Sequence, residues 1–143
     1  MDDLYTDSAK RVMAIAQEQA NYFRHQAIGT EHLLLALTIE DKGVAGQVLK
    51  QAMVTPSDVR REIERLAGYG NLLRQSPSNY LPYSPKAKAV LDETRKQAFL
   101  TGAVRIGTEH FLLALLSDED ILSSRILTSL HVDMRLDRKS GSA

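Results

Sequence analysis

The chain contains no cysteine, which excludes a disulfide framework and thiolate chemistry alike. It has no excess of either charge: 18 basic residues face 18 acidic ones. A domain whose main task is holding nucleic acid carries a basic surplus, so that class is disfavoured. No apolar run approaches the roughly 18 residues that a membrane span requires. The start, MDDLYTDSAK, is acidic and lacks the basic, then apolar, pattern of a secretory signal. Catalytic signatures are missing too: there is no Gly-rich loop ending in Gly-Lys-Ser/Thr, no His-Glu-x-x-His and no Gly-x-Ser-x-Gly. These absences point to a cytoplasmic binding protein rather than an enzyme. An enzyme using Glu31 or Glu109 as base, such as a small phosphatase or hydrolase, would lack a nucleophile, a metal cluster and a nucleotide loop. A purely structural helical spacer is a third class.

What the chain does contain is a duplication. Ile28 to Leu37 reads IGTEHLLLAL and Ile106 to Leu115 reads IGTEHFLLAL, nine of ten positions alike at a spacing of 78 residues. Such repeats dictate how a fold is assembled. The same offset pairs Tyr5 with Tyr83, Ala9 with Ala87, Val12 with Val90, Ala20 with Ala98, and Val48-Leu49 with Ile126-Leu127. At 143 residues and 43% hydrophobic content the whole is one globular domain.

Helical periodicity runs through both copies. Thr6 is a good N-cap for a first helix with Ala9, Val12, Met13, Ala16, Ala20 and Phe23 on one stripe. Gly29-Thr30 opens a second helix whose run Leu33 to Leu37 is apolar all round, as in a helix enclosed by others. A short third helix over 44–52 turns Val44, Val48 and Leu49 inward. Thr55-Pro56-Ser57-Asp58 starts a fourth, with Val59, Ile63 and Leu66 inward and Gly68 and Gly70 at its end. In the second copy Ser84-Pro85 caps a helix ending at Gly102, Gly107-Thr108-Glu109 opens the enclosed helix with Phe111 to Leu115 in the core, and 121–130 is the short one. The fourth helix is where the copies diverge: Asp133 to Leu136 runs into a polar tail, predicting a truncated helix and a chain that continues. The boundaries are about 5–68 for repeat one, 69–82 for a joint, 83–138 for repeat two and 139–143 for the tail. The joint is loop-like, yet Leu72, Leu73, Tyr80 and Leu81 are apolar. They either pack across the halves or dock a partner.

His32 and His110 occupy matching places, each after a glutamate. Adjacent residues on a helix point apart, which argues against a shared metal and for histidines that pack or hydrogen-bond near the inner face. Glu31 and Glu109 lie in first helical turns. Helix stabilisation by about 0.3–1 kcal/mol is the simpler account of a carboxylate there. The alternative is a ligand grip, with the carboxylate pairing a guanidinium and neighbouring N–H groups holding an anion.

The paired Ile-Gly-Thr-Glu-His-Leu-Leu-Leu-Ala-Leu stretches, each behind an amphipathic helix beginning near Tyr-Thr or Tyr-Ser, resemble the N-terminal domain of Clp/Hsp100 AAA+ unfoldases, the ClpC type above all. The resemblance runs from about Tyr5 to Val132. It implies an all-α domain of two pseudo-twofold four-helix repeats, about eight helices, mounted on a hexameric ATPase that works with a ClpP-type protease. ATP then belongs to motor domains beyond Ala143, where a Gly-x-x-x-x-Gly-Lys-Thr loop is expected. It further implies binding of MecA-type adaptors and of phosphoarginine-marked proteins. Glu31 and Glu109 would contact the guanidinium, and Thr30 and Thr108, with the helix-start amides at Gly29 and Gly107, the phosphate. ClpB- and ClpA-type relatives, or a stand-alone double repeat, share the pattern. Two departures are Arg24-His25 and Gly102-Ala103 where ClpC types carry Gly-His. A third is the acidic run Asp118 to Asp120, which repels phosphate and favours Glu31 over Glu109.

Overall fold

The computed structural model describes residues 4–70 and 80–131. Seven helices occupy them: α1 (Asp7–Tyr22), α2 (Thr30–Ile39), α3 (Val44–Gln51), α4 (Pro56–Leu66), α5 (Pro85–Leu100), α6 (Thr108–Leu116) and α7 (Leu122–Ser129). The architecture is all-α, with four helices in the first repeat and three in the second. The expected eighth helix and polar tail fall outside the described residues, as do Leu72 and Leu73. Among the described residues no helix is long and apolar enough to cross a membrane.

Local chemistry starts these helices where expected. The hydroxyls of Thr6, Thr55 and Ser84 accept the amides of Ala9, Asp58 and Ala87, each at 3.1 Å. Proline occupies the first turn of α4 and of α5, where its missing N–H is not needed. Gly68 and Gly102 end α4 and α5 at φ of +65° and +69°. The position in repeat one that matches Gly102 is Arg24, also left-handed at φ 59°.

Helix α2 is the centre. Leu33 to Leu37 are all buried, and α2 touches every other described helix. Full burial of each leucine contributes about 1.5–3 kcal/mol. Its counterpart α6 touches α1, α2, α3, α5 and α7.

Three sequence expectations need correction. Val44 is 54% exposed, because Ala45 and Leu49, four residues apart, form the face that α3 turns inward. Leu113 is 41% exposed although it stands in the apolar run of α6. In the joint, Tyr80 is exposed, and of the described residues Leu81 packs against the core.

The halves are stitched reciprocally. The Ile106 carbonyl accepts the Thr6 amide at 2.9 Å, and the Ile106 amide donates to Leu4 at 2.8 Å. The Ile28 amide donates to Pro82 at 2.7 Å, and its carbonyl accepts the Ser84 amide at 2.9 Å. Each repeat's first helix is thus anchored beside the motif helix of the other.

Candidate functional site

The four residues of each Gly-Thr-Glu-His motif have separate tasks, set by where the helix begins. Gly29 and Gly107 are the N-caps of α2 and α6, in extended conformation. A cap of this kind usually supplies a side-chain oxygen, but here the glutamate two residues on folds back over the glycine. A Cβ on Gly29 or Gly107 would collide with the carboxyl of Glu31 or Glu109. A side chain at either glycine would have to displace that carboxylate from its place over the helix start.

The cap is made by histidine instead. The Gly29 amide donates to His32 Nδ1 at 2.8 Å, and the Gly107 amide donates to His110 Nδ1 at the same distance. Acceptance at Nδ1 puts the His32 proton on Nε2, which lies 2.8 Å from His25 Nδ1. His25 must then carry its proton on Nε2, 2.7 Å from the Gly68 carbonyl, an atom that only accepts. The tautomers are fixed from both ends of this relay. Burial, and then the charge of His25, lowers His32 to about 3, so it is neutral at ordinary pH. In repeat two, His110 Nε2 meets the Thr101 hydroxyl at 3.3 Å.

The relay bears on the metal question. Donor atoms of His25, Glu31 and His32 lie within 4.8 Å of one another, contrary to the expectation that a Glu-His pair must diverge. That expectation holds inside a helix, whereas Glu31 sits in the first turn and is free to fold back. All four ring nitrogens of the two histidines nevertheless have hydrogen-bond partners, which accounts for the cluster without an ion.

Thr30 and Thr108 are buried. The Thr30 hydroxyl accepts the Ser123 amide at 3.2 Å, and the Thr108 hydroxyl accepts the Ala45 amide at 3.1 Å. Neither α3 nor α7 has a cap hydrogen bond from its own N-cap side chain. Each threonine therefore caps the short helix of the opposite repeat, and Thr30, with Gly29, also lines the cavity that holds Glu31.

The glutamates remain as the accessible polar groups of the motif, in unlike surroundings. Glu31 lies in a cavity of about 380 Å³ with His25, Ser84 and Lys86. Burial raises its pKa, against the opposing pull of its own backbone amide and of His25. Glu109 lines a groove of about 790 Å³ that is mainly apolar. Sequence reasoning did not bring Lys86 and Ser84 to the Glu31 cavity. They reach it through the bridge between Ile28 and Tyr83, a long-range pairing without a local signal. The 78-residue offset places Ser8 opposite Lys86, so the pairing of acid and lysine is not repeated in sequence.

The described residues form a paired helical repeat in which a motif carboxylate folds back over the glycine that starts each enclosed helix. The profile of the Clp repeat (R) N-terminal domain matches residues 4–130, and the chain belongs to that family. It is 35% identical over 135 residues to "Negative regulator of genetic competence ClpC/MecB" of Bacillus subtilis, and 34% identical over 135 residues to "Chaperone protein ClpB" of Oceanobacillus iheyensis. Each alignment covers 94% of this chain and 16% of the relative, so the chain spans about a sixth of the length of these curated relatives. Among solved structures, the N-terminal domain of the chaperone ClpD from Arabidopsis thaliana superposes with a TM-score of 0.76 at 22% identity, covering 93% of this chain and 88% of that one. It shares the fold. ClpC- and ClpB-named relatives stand at nearly equal identity, which leaves the subfamily undivided.

Proposed function

We propose that this domain recruits adaptor proteins of the MecA type and marked substrate proteins to an ATP-driven Clp unfoldase of the ClpC type, and that its Glu31 cavity receives a phosphorylated arginine. The observation that carries this reading is the carboxylate of Glu31 held over Gly29 in a cavity shared with Lys86. A carboxylate pairs a guanidinium through two parallel hydrogen bonds. Lys86 and Ser84 supply a cation and a hydroxyl for the phosphate. Thr30 lines the same cavity, and its hydroxyl, like that of Ser84, accepts a helix-start amide and keeps its O–H to donate to the phosphate. Glu109 offers the same carboxylate without a lysine among its groove's lining residues, on a motif helix followed in sequence by the acidic run Asp118 to Asp120, and is the weaker site.

Calorimetric titration of the domain with phosphoarginine, with phosphoserine as control, tests this. Binding of phosphoarginine that is lost in Glu31→Ala, weakened in Lys86→Ala and little altered in Glu109→Ala supports it. Equal response to both phosphoamino acids, or none to either, rejects the guanidinium reading and leaves adaptor docking.

A further inference from the structure

The histidine relay behind Glu31 has no place for another proton. Its hydrogens all run one way: the Gly29 amide donates to His32 Nδ1, His32 Nε2 to His25 Nδ1, and His25 Nε2 to the Gly68 carbonyl. Both ends are backbone groups whose roles are fixed, so neither imidazole has a lone pair to spare. A proton on His25 Nδ1 meets the N–H of His32. If His32 answers by moving its own hydrogen to Nδ1, that hydrogen meets the Gly29 amide. The first proton gained must therefore break one link.

His25 is the ring placed to take it. His32 is buried and held neutral, with a pKa of about 3, whereas His25 is half-buried and lines the Glu31 cavity. Five helices contribute to its surroundings. At the end of α1 the Phe23 ring stacks on His25 at 5.5 Å and 16°. From α2 come Glu31 and His32, and donor atoms of these two and His25 lie within 4.8 Å of one another. The end of α4 gives the Gly68 carbonyl, while Glu64 accepts the Tyr69 hydroxyl. Lys86 of α5 and Leu122 of α7 line the same cavity, and Arg24 adjoins His25 in the chain. Glu31 is the carboxylate of that 4.8 Å cluster, and so the counter-charge for an imidazolium released from His32.

Repeat two is built otherwise. Ala103 stands at the position matching His25. His110 Nε2 meets the Thr101 hydroxyl, a group that can both donate and accept.

We propose that His25 is a proton-operated gate on the Glu31 cavity: on gaining a proton it leaves His32, pairs with Glu31 and shuts a guanidinium out. The gate rests on the phosphoarginine reading for its ligand and adds when that site is open. A carboxylate holds a guanidinium through both its oxygens, so imidazolium and guanidinium compete for Glu31. One proton opposed to one ligand changes affinity by up to about tenfold per pH unit.

Phosphoarginine is titrated calorimetrically into the 143-residue chain at steps from pH 8 to pH 5.5, with its P–N bond checked by phosphorus NMR. The comparison is His25→Asn, whose side-chain oxygen can accept the His32 hydrogen without titrating. Over that range the unaltered chain should lose at least about fivefold more affinity than the variant. Without ligand, imidazole nitrogen spectra should show His25 charging while His32 stays neutral. The Glu31 carboxyl carbon should shift at the same pH, and should not in His25→Asn. Circular dichroism checks the fold of the variant, and His25→Gln, whose amide can donate to Gly68, replaces it if it unfolds. An equal loss of affinity in both proteins assigns the effect to protonation of Glu31 itself and overturns the gate. Tighter binding in acid overturns it by assigning the imidazolium to the phosphate, and so does a His25 that charges without a response at Glu31. No binding of phosphoarginine at pH 8 is a different failure: it rejects the reading of the site, and the gate with it.

Discussion

The Thr30 hydroxyl accepts the amide of Ser123, 93 residues further along the chain, and Thr108 does the same for Ala45 across 63 residues. Each enclosed helix begins with a residue that completes a helix of the other repeat. Thr30→Val removes the acceptor at nearly constant volume and leaves a buried amide without its partner. A loss of about 1–2 kcal/mol is expected in urea unfolding, and the same for Thr108→Val. Thr30→Ser should retain most of the stability, which separates the hydroxyl from the packing of the methyl group.

The histidine relay makes a second prediction, in acid. His32 is held neutral by burial, with a pKa of about 3 against an ordinary value of 6.5. The unfolded chain therefore binds a proton below about 6.5 that the folded chain refuses. Stability should fall as pH drops through the range from 6.5 towards 3, with up to one proton taken up on unfolding. In His32→Gln, whose side-chain oxygen can still accept the Gly29 amide, that portion of the slope should vanish. An unchanged slope would assign the acid sensitivity to other groups.

Glu31 is expected to work against stability. Its pKa is raised by burial, so the folded state prefers the protonated acid and stability is lost as pH rises from the unfolded value through the folded one. Glu31→Gln should stabilise the domain at pH 7, with little effect at pH 3.5, where the carboxyl is already protonated in both states. The same variant should lose phosphoarginine binding. Thermal melts at the two pH values, with and without ligand, check both halves of the prediction.

Arg11 and Glu40 pair at 2.8 Å, with the carboxylate buried and the guanidinium half exposed. Burial pushes Glu40 upward, but the Arg11 guanidinium and the amides of Gly43 and Lys42 together hold its pKa below the usual carboxylate value. The stability this contributes is present above the ordinary carboxylate pKa and disappears as pH falls through the lowered one. Arg11→Met keeps the aliphatic stem and removes the charge. It should cost about 1–2 kcal/mol at pH 7 and progressively less in acid, as read from chemical denaturation across pH.

Much of the fold was legible because its signals are local. Thr6, Thr55 and Ser84 announce helix starts, and Leu33 to Leu37 declares an enclosed helix without reference to anything distant. Val44 was misread because α3 turns Ala45 and Leu49 inward, and Leu113 because an all-round apolar run does not show which of its faces is covered. Helical periodicity says which residues share a face but not whether a neighbour covers that face. The site divided in the same way. Glu31 and Glu109 were found from their helix-start position. The burial of Thr30 and Thr108, the relay through His25 and the presence of Lys86 depend on pairings between repeats. No window of adjacent residues contains them.

The crossed caps and crossed backbone bridges have a consequence for ancestry. A single repeat cut from this chain would expose an uncapped short helix and an unpaired motif strand-end, and would find both complements on an identical copy of itself. A homodimer of half-length chains would reproduce every such contact with the symmetry made true. Fusion of the two genes would then have freed the copies to drift apart. One kept α4 over its groove and a histidine relay behind its glutamate. In the other, His110 meets the Thr101 hydroxyl in place of a second histidine.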